Sequence, residues 1–346
     1  MSLAASFDIK GWCPGGVRPM PSGDGLLVRV RPWCSAFTLD QAKGLAEIAA
    51  ILGNGHIDLT RRANLQIRGL HEERLPALHD ALDRLGLLED EAARNVMVAP
   101  LAGPETRALA VALGHAIPVD APPKFGCLVD DGGPLSIVGE RADIALAVTR
   151  EGVAVRAEGE WLGVTDFEHA TSAAFGGQRS LAKMAVMPVP GRRQLGRLGR
   201  FTGLAVPFGR LVAQQLHDLV ASCVTAGASE IRLSPWRALY VDAAVEVPGF
   251  IADDHDPLLR IEACPGAPAC ASASVDTRAD ARRLAAMGLA GTIHVSGCAK
   301  GCARSTAADL TLVGQEGRYG VVRNGTARDR ATRILEPGAL ELLLDG

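Results

Sequence analysis

The sequence predicts an α+β protein in which one strand–helix–strand unit occurs twice and pairs into a single pseudo-symmetric domain, with two further α/β lobes. Three observations predict it. Residues 39–67, LDQAKGLAEIAAILGNGHIDLTRRANLQI, align without gaps on residues 213–241, AQQLHDLVASCVTAGASEIRLSPWRALYV, so the two copies stand at one constant offset. Each copy follows a strand-like run, GLLVRVRP in the first and RFTGLAVP in the second. The chain as a whole, at 346 residues, is too long for one small core.

Both aligned copies begin with an amphipathic helix, turn at Gly53 or Gly227, and enter a strand at Ile57 or Ile231. Leu45 matches Leu219, Leu59 matches Leu233 and Leu65 matches Leu239. The paired units are expected within 15–90 and 190–258, with one lobe over 91–189 and another over 259–346. The stretch PVPGRRQLGRLGR, 188–200, carries four arginines and no acid among its glycines and prolines, and reads as a loop at the boundary.

Composition narrows the function classes. The chain is 48% hydrophobic and 22% charged, with a net charge of −3, which argues against a dedicated nucleic-acid binder. Apolar runs such as ALAVALGHAIPV are short and broken, well below the roughly 20 residues of a membrane-spanning helix. MSLAASFDIK lacks the basic start and apolar run of a secretory signal, so a cytoplasmic protein is expected. Neither G-x-G-x-x-G after a strand nor G-x-x-x-x-G-K-[ST] occurs, so no built-in nucleotide domain is expected.

The eight cysteines are Cys13, Cys34, Cys127, Cys223, Cys264, Cys270, Cys298 and Cys302, and only the last four cluster. They form two pairs, C-x5-C from Cys264 and C-x3-C from Cys298, with a longer gap between. Disulfides do not suit a chain without an export signal. Zinc sites usually draw C-x2-C or C-x4-C pairs. Four inert buried cysteines would be a coincidence of spacing. A [4Fe–4S] cluster, whose four iron corners each take a thiolate, fits best. The small residues Pro265, Gly266, Ala267, Gly297, Ala299 and Gly301 let backbone wrap such a group closely. The other four cysteines read as packing residues, with Cys13, in a Gly/Pro-rich loop, the one exception considered.

With Ser296-Gly297-Cys298, Cys302 and Asp309-Leu310-Thr311-Leu312 added, the pattern resembles the cluster-binding half of the sulfite/nitrite reductase superfamily, over about Gly23 to Val322. The resemblance implies that Cys264, Cys270, Cys298 and Cys302 hold the cluster, and that the paired units are ferredoxin-like half-domains flanked by lobes of sulfite/nitrite reductase type. LTRRANLQIRG resembles the superfamily's T-x-R-x-x-x-Q strand, which implies substrate-binding roles for Arg62 and Gln66. If that run is extended, Arg62, Asn64, Gln66 and Arg68 share one face. ARNVMVAP and PPKFGC resemble two further segments of the anion-binding face, which implies Arg94 and Lys124. Gly126 stands where the superfamily's second lysine is expected, which weakens the case for sulfite or nitrite as substrate.

The N-terminal CPGGVRPMPSGDGLLVRV resembles the oxygen-dependent, cobalamin-pathway branch of the same superfamily. That resemblance implies a monooxygenase: precorrin-3A is hydroxylated by O2 at a bridging-side carbon and a ring-A acetate closes a lactone, giving precorrin-3B. It also implies a mononuclear non-haem iron beside the cluster, and NADH as electron source through a separate reductase. Precorrin-3A is fringed with carboxylates, which guanidinium forks match. Arg18, Arg29, Arg31, Arg68, Arg192, Arg193 and Arg197 are therefore further binding candidates. For the mononuclear iron, His56 with Asp58 and His71 with Glu73 have the His-x-Asp/Glu form, and neither pair is assigned. The alternatives are a short sirohaem-dependent sulfite or nitrite reductase, and a non-catalytic iron–sulfur electron carrier.

Overall fold

The computed structural model describes residues 14–88, 95–176 and 181–344, so the expectations for Cys13 and Arg94 lie outside the described residues. The described helices are α1 (Leu39–Ile51), α2 (Leu75–Arg84), α3 (Pro104–Ala116), α4 (Phe167–Ala174), α5 (Ala213–Thr225) and α6 (Thr277–Ala286). The described strands form four five-stranded sheets.

Two of these sheets are built by the repeats, and each is completed by a strand from the other repeat. The first runs Met20–Ser22, Gly25–Val30, Leu65–Leu70, His56–Leu59, and then Arg210–Val212 from the second repeat. The second runs Gly196–Leu198, Phe201–Ala205, Ala238–Val241, Glu230–Leu233, and then Ala36–Thr38 from the first repeat. All neighbours in both sheets are antiparallel. Helices α1 and α5, whose two ends are related by the offset of the sequence repeat, pack against one another.

The repeat holds at the level of single backbone angles. Cys34 and Ser35, at φ 55° and 51°, recur at the same offset as Phe208 and Gly209, at φ 55° and 71°. Ala63, at φ 50°, recurs as Arg237, at φ 57°. The helix starts agree as well. Gln41 accepts at Oε1 from the Thr38 N–H (3.0 Å) and Gln215 accepts from the Val212 N–H (3.0 Å), although only Thr38 has a hydroxyl to complete a reciprocal cap. The duplicated α+β architecture expected from the sequence is therefore present.

The other two sheets share a strand order that the sequence did not reveal. One runs Val96–Val98, Cys127–Asp130, Ile144–Thr149, Gly152–Ala157, Glu160–Thr165 and carries α3 and α4. The other runs Ile261–Ala263, Ile293–Ser296, Ala308–Gln315, Arg318–Gly325, Arg333–Leu335 and carries α6. In each, the first three strands are parallel and the last three are antiparallel. One hydrophobic core runs through both repeats and the first of these lobes, from Leu45 and Ile67 to Leu146 and Leu219. The last lobe has its own core around Val295, Leu312 and Tyr319. No helix among the described residues is long and apolar enough to cross a membrane.

Candidate functional site

The four clustered cysteines follow the ends of two adjacent parallel strands. Cys264 comes directly after Ile261–Ala263, and Cys298 follows Ile293–Ser296 with only Gly297 between. Parallel neighbours end on the same side of a sheet, so the two cysteine loops emerge next to each other. Cys264 is buried, Cys270 and Cys298 are half-buried, and Cys302 opens to solvent. Burial, and then the neighbouring Cys264, Cys298 and Cys270, push the Cys302 thiol up, so Cys302 lies within the field of the other three.

The backbone around them suits a bulky anionic group. The Gly297 N–H donates to the Cys264 sulfur at 3.1 Å. A Cβ at Gly297 would lie 2.5 Å from the Ala273 Cβ and 3.5 Å from the Cys264 sulfur. Gly266, at φ 68°, has Thr277 Oγ1 2.5 Å from where its Cβ would be. Among the described residues, these cysteines included, no three His, Cys, Asp or Glu side chains gather closely enough to hold a single metal ion. Four thiols on two loops at adjacent strand ends, one of them accepting a backbone N–H, match the donor chemistry of a four-iron cluster.

The first repeat reaches over these loops at two points. Gly23 lies against the backbone of Ala269, Cys270 and Ala271, with room for no side chain. Arg61 donates to the Ala303 carbonyl at 3.2 Å and pairs with Glu262, which also holds Arg304 at 2.9 Å. Between repeat and loops lies a cleft of about 250 Å³, in which Cys264 and Cys302 face Arg29, Gln66, Arg237 and Arg278. An adjoining cavity of about 290 Å³ shares Arg237 and Phe208 and adds Arg193 and Trp236.

The substrate-face expectation needs one correction. The run 59–69 is not a continuous strand: His56–Leu59 and Leu65–Leu70 form a hairpin closed by a tight turn. Thr60 Oγ1 accepts from the N–H of Arg62 and of Asn64, each at 3.2 Å, and Ala63 takes a left-handed conformation. A hydroxyl that collects nearby N–H groups turns the chain in place of extending it. Period two therefore holds for Gln66 and Arg68, which both line the cleft, and fails for Arg62 and Asn64. Asn64 is buried. The Arg62 guanidinium lies against Gly126, where a Cβ would be 2.7 Å from its Nη1, close in sequence to the exposed Lys124.

Of the two His-x-Asp/Glu pairs, the first has its carboxylate already taken. Arg210 Nε and Nη2 donate to the two Asp58 oxygens at 2.6 and 2.8 Å, and Arg68 adds a contact at 3.3 Å. His71 and Glu73 lie exposed at the approach to α2. Cys127 and Cys223 behave as packing residues: both are buried, and burial pushes both thiols up to about 12. Cys34 is half-buried, and burial raises its thiol as well.

Sequence reasoning missed Arg237 and Arg278. Arg278 projects from the first turn of α6, and burial followed by the nearby Arg210 lowers it to about 10. Arg237 is also lowered, by burial first and Arg61 next. A signal for Arg237 was present: it stands in the second repeat where the first has Ala63.

Comparison with known proteins supplies the rest. Residues 18–85 match the family described as "Nitrite/Sulfite reductase ferredoxin-like half domain". A precorrin-3B synthase from Sinorhizobium sp. is 32% identical, over 92% of this chain and 83% of its own. A ferredoxin–nitrite reductase from Synechococcus elongatus is 25% identical, over 87% of this chain and 78% of its own. The structure of the Mycobacterium tuberculosis NirA protein superposes with a TM-score of 0.68 at 17% identity, over 92% of this chain and 79% of that one, a likeness of fold.

Proposed function

Because the chain belongs to the precorrin-3B synthase family, within the nitrite/sulfite reductase superfamily, we propose that it converts precorrin-3A to precorrin-3B in the cleft beside Cys264 and Cys302. It is an oxidoreductase of cobalamin biosynthesis. Its reaction places one atom of O2 on the macrocycle and closes a lactone from a ring acetate. The other oxygen atom leaves as water, with two electrons drawn from NADH through a separate reductase. A cytoplasmic setting suits such a partner.

One observation carries the reading. A single cleft brings two of the four clustered thiols together with guanidiniums and an amide from three different elements. An anionic macrocycle beside an electron relay requires that combination. When bound through Cys264, Cys270, Cys298 and Cys302, a [4Fe–4S] cluster supplies electrons one at a time. The Gly297 N–H offsets negative charge at Cys264. Arg237, Arg278 and Gln66 meet carboxylates at the ring edge, and Phe208 offers an apolar face. Arg62, which lies against Gly126, serves a further margin of the site. The resemblance also implies a mononuclear iron; Asp58 is held by Arg210 and is not open to it, and His71 and Glu73 do not line the cleft.

The test joins three variants. Cys264→Ser and Cys298→Ser are expected to lose the cluster's broad absorption together with its iron and sulfide; retention of both contents would overturn the ligand assignment. Arg62→Ala is expected to keep the cluster and to bind tetrapyrrole at least tenfold more weakly, about 1.4 kcal/mol. Unchanged affinity would remove Arg62 from the site. The presence of Thr60, Arg62 and Lys124, with a nitrite reductase among the relatives, favours a second reading as a short sirohaem-dependent reductase. Sirohaem bands in protein purified without oxygen would establish it.

A further inference from the structure

The charges lining the cleft do not balance locally. Arg68 is held by Asp24 at 2.6 Å and by Asp58 at 3.3 Å. Arg210 is held by Asp58. Arg61 and Arg304 share Glu262. Each of these guanidiniums has an acid. Among the described residues Arg237 and Arg278 do not: Nε of Arg237 and both Nε and Nη1 of Arg278 are buried without a hydrogen-bond partner. The two approach from different parts of the fold, a turn of the second repeat and the first turn of α6, and they feel each other's charge. Gly209 leaves room for the Arg237 stem, which lies 2.5 Å from where a Cβ would be. Buried guanidiniums without acceptors are costly, and the cost is relieved when a ligand brings the acceptors.

Arg278 also lies within the field of Cys264, one of the four clustered thiols. One cation without a hydrogen-bonded acid, which feels Asp58 only at a distance, therefore faces both the cleft and the electron-carrying group. We propose that Arg278, with Arg237 opposite, receives a carboxylate of the bound macrocycle and thereby couples substrate binding to the cluster's reduction potential. The inference rests on the placement of the macrocycle given above. With the cleft empty, the Arg278 charge favours the extra electron of the reduced cluster. A carboxylate on Arg278 cancels that field, so the occupied protein is harder to reduce. Linkage requires the reciprocal: the macrocycle binds the oxidised protein more tightly than the reduced one. The empty protein therefore takes up the electron more readily, and occupation of the cleft makes the reduced cluster the stronger donor. No bond or proton at Arg278 changes, and the single electron added to the cluster comes from the reductase, or from a mediator in the test.

The experiment is an equilibrium redox titration of cluster-loaded protein purified without oxygen, followed by the paramagnetic signal of the reduced cluster. It is run with and without uroporphyrin III, a porphyrin fringed with acetates and propionates, at concentrations that saturate each variant by absorbance titration. For the unmodified protein the expected coupling is about tenfold in affinity, a fall in midpoint of about 59 mV for one electron. In Arg278→Gln the midpoint without porphyrin is already lowered, and the porphyrin-dependent shift falls to less than a third, with iron and sulfide unchanged. Arg278→Lys, which keeps the charge, retains most of the shift. Equal shifts in the unmodified protein and Arg278→Gln would overturn the coupling. Porphyrin binding with no shift in the unmodified protein would overturn the coupling alone. Failure of porphyrin to bind either redox state would overturn the placement of the macrocycle, and the coupling with it.

Discussion

Asp58→Asn is expected to be among the most destabilising single changes in the first sheet. Asp58 sits on His56–Leu59, directly opposite Arg210 on the strand contributed by the second repeat. Its two oxygens accept from Nε and Nη2 of that guanidinium at 2.6 and 2.8 Å, and the side chains are 14% and 11% exposed. Arg68 keeps Asp24 if Asp58 is neutralised, whereas Arg210 loses its only acidic partner among the described residues. Breaking one side of a buried pair typically costs about 3–5 kcal/mol. Asn preserves the shape, so the loss is one of charge. The assay is urea denaturation of Asp58→Asn, Arg210→Gln and the double variant. The double variant is expected to be less destabilised than the sum of the singles, because the stranded cation is gone. A single-variant loss below about 1 kcal/mol would refute the reasoning, since that is the range of exposed pairs.

The pH dependence follows from the same geometry. Burial works to raise the Asp58 carboxyl, but the hydrogen bonds and charge of Arg210, with Arg278 and Arg68 behind them, outweigh it and hold the group below its ordinary value. The unfolded state therefore takes up the proton first as pH falls. Stability from this pair is full above the ordinary carboxylate pKa, about 3.9, and is lost as pH drops through the lower folded value. The difference between unmodified protein and Asp58→Asn should be flat from about pH 5 to 8 and should shrink only below about pH 4.

Two further outcomes can be checked with less effort. Gly297→Ala puts a Cβ 2.5 Å from the Ala273 Cβ, so one cysteine loop must shift against the other. Overpacking of this kind costs about 1–3 kcal/mol, and iron and sulfide per chain should fall, whereas full contents would show that the loops have slack. Gly126→Ala meets chiefly the end of the Arg62 side chain, at 2.7 Å. Stability should change by less than about 1 kcal/mol while porphyrin affinity changes, and unchanged affinity would separate Arg62 from the binding face.

What could be read from the sequence was whatever recurs at short range or at a fixed offset. The helices α1 and α5 carry the same periodicity, and Leu45, Leu59 and Leu65 recur at one offset as Leu219, Leu233 and Leu239, so the repeat was visible despite low identity. The four cysteines were visible because ligand spacing is local. The turn at Thr60–Asn64 was not, because alternation is silent about a threonine hydroxyl that gathers two N–H groups. The kinship of the two outer lobes lies in strand order, which leaves little trace in side chains. Arg278 could not have been found from pattern alone. Its meaning comes from lacking a hydrogen-bonded acid, which is known only once the chain has folded.

The exchange of single strands between the two repeats also has a consequence for how the chain is made. Arg210–Val212 closes the first sheet from beyond the whole first lobe, and Ala36–Thr38 closes the second sheet from the opposite side of that lobe. During synthesis the first repeat emerges with His56–Leu59 as a bare edge, and that edge stays open until an entire lobe has left the ribosome. Pairings of such long range form slowly, and open edges invite the wrong partner. The half-domain matched at residues 18–85 thus ends well before the strand that completes its sheet. Expressed alone, it would lack the strand that shields it, and neither repeat can finish without the other.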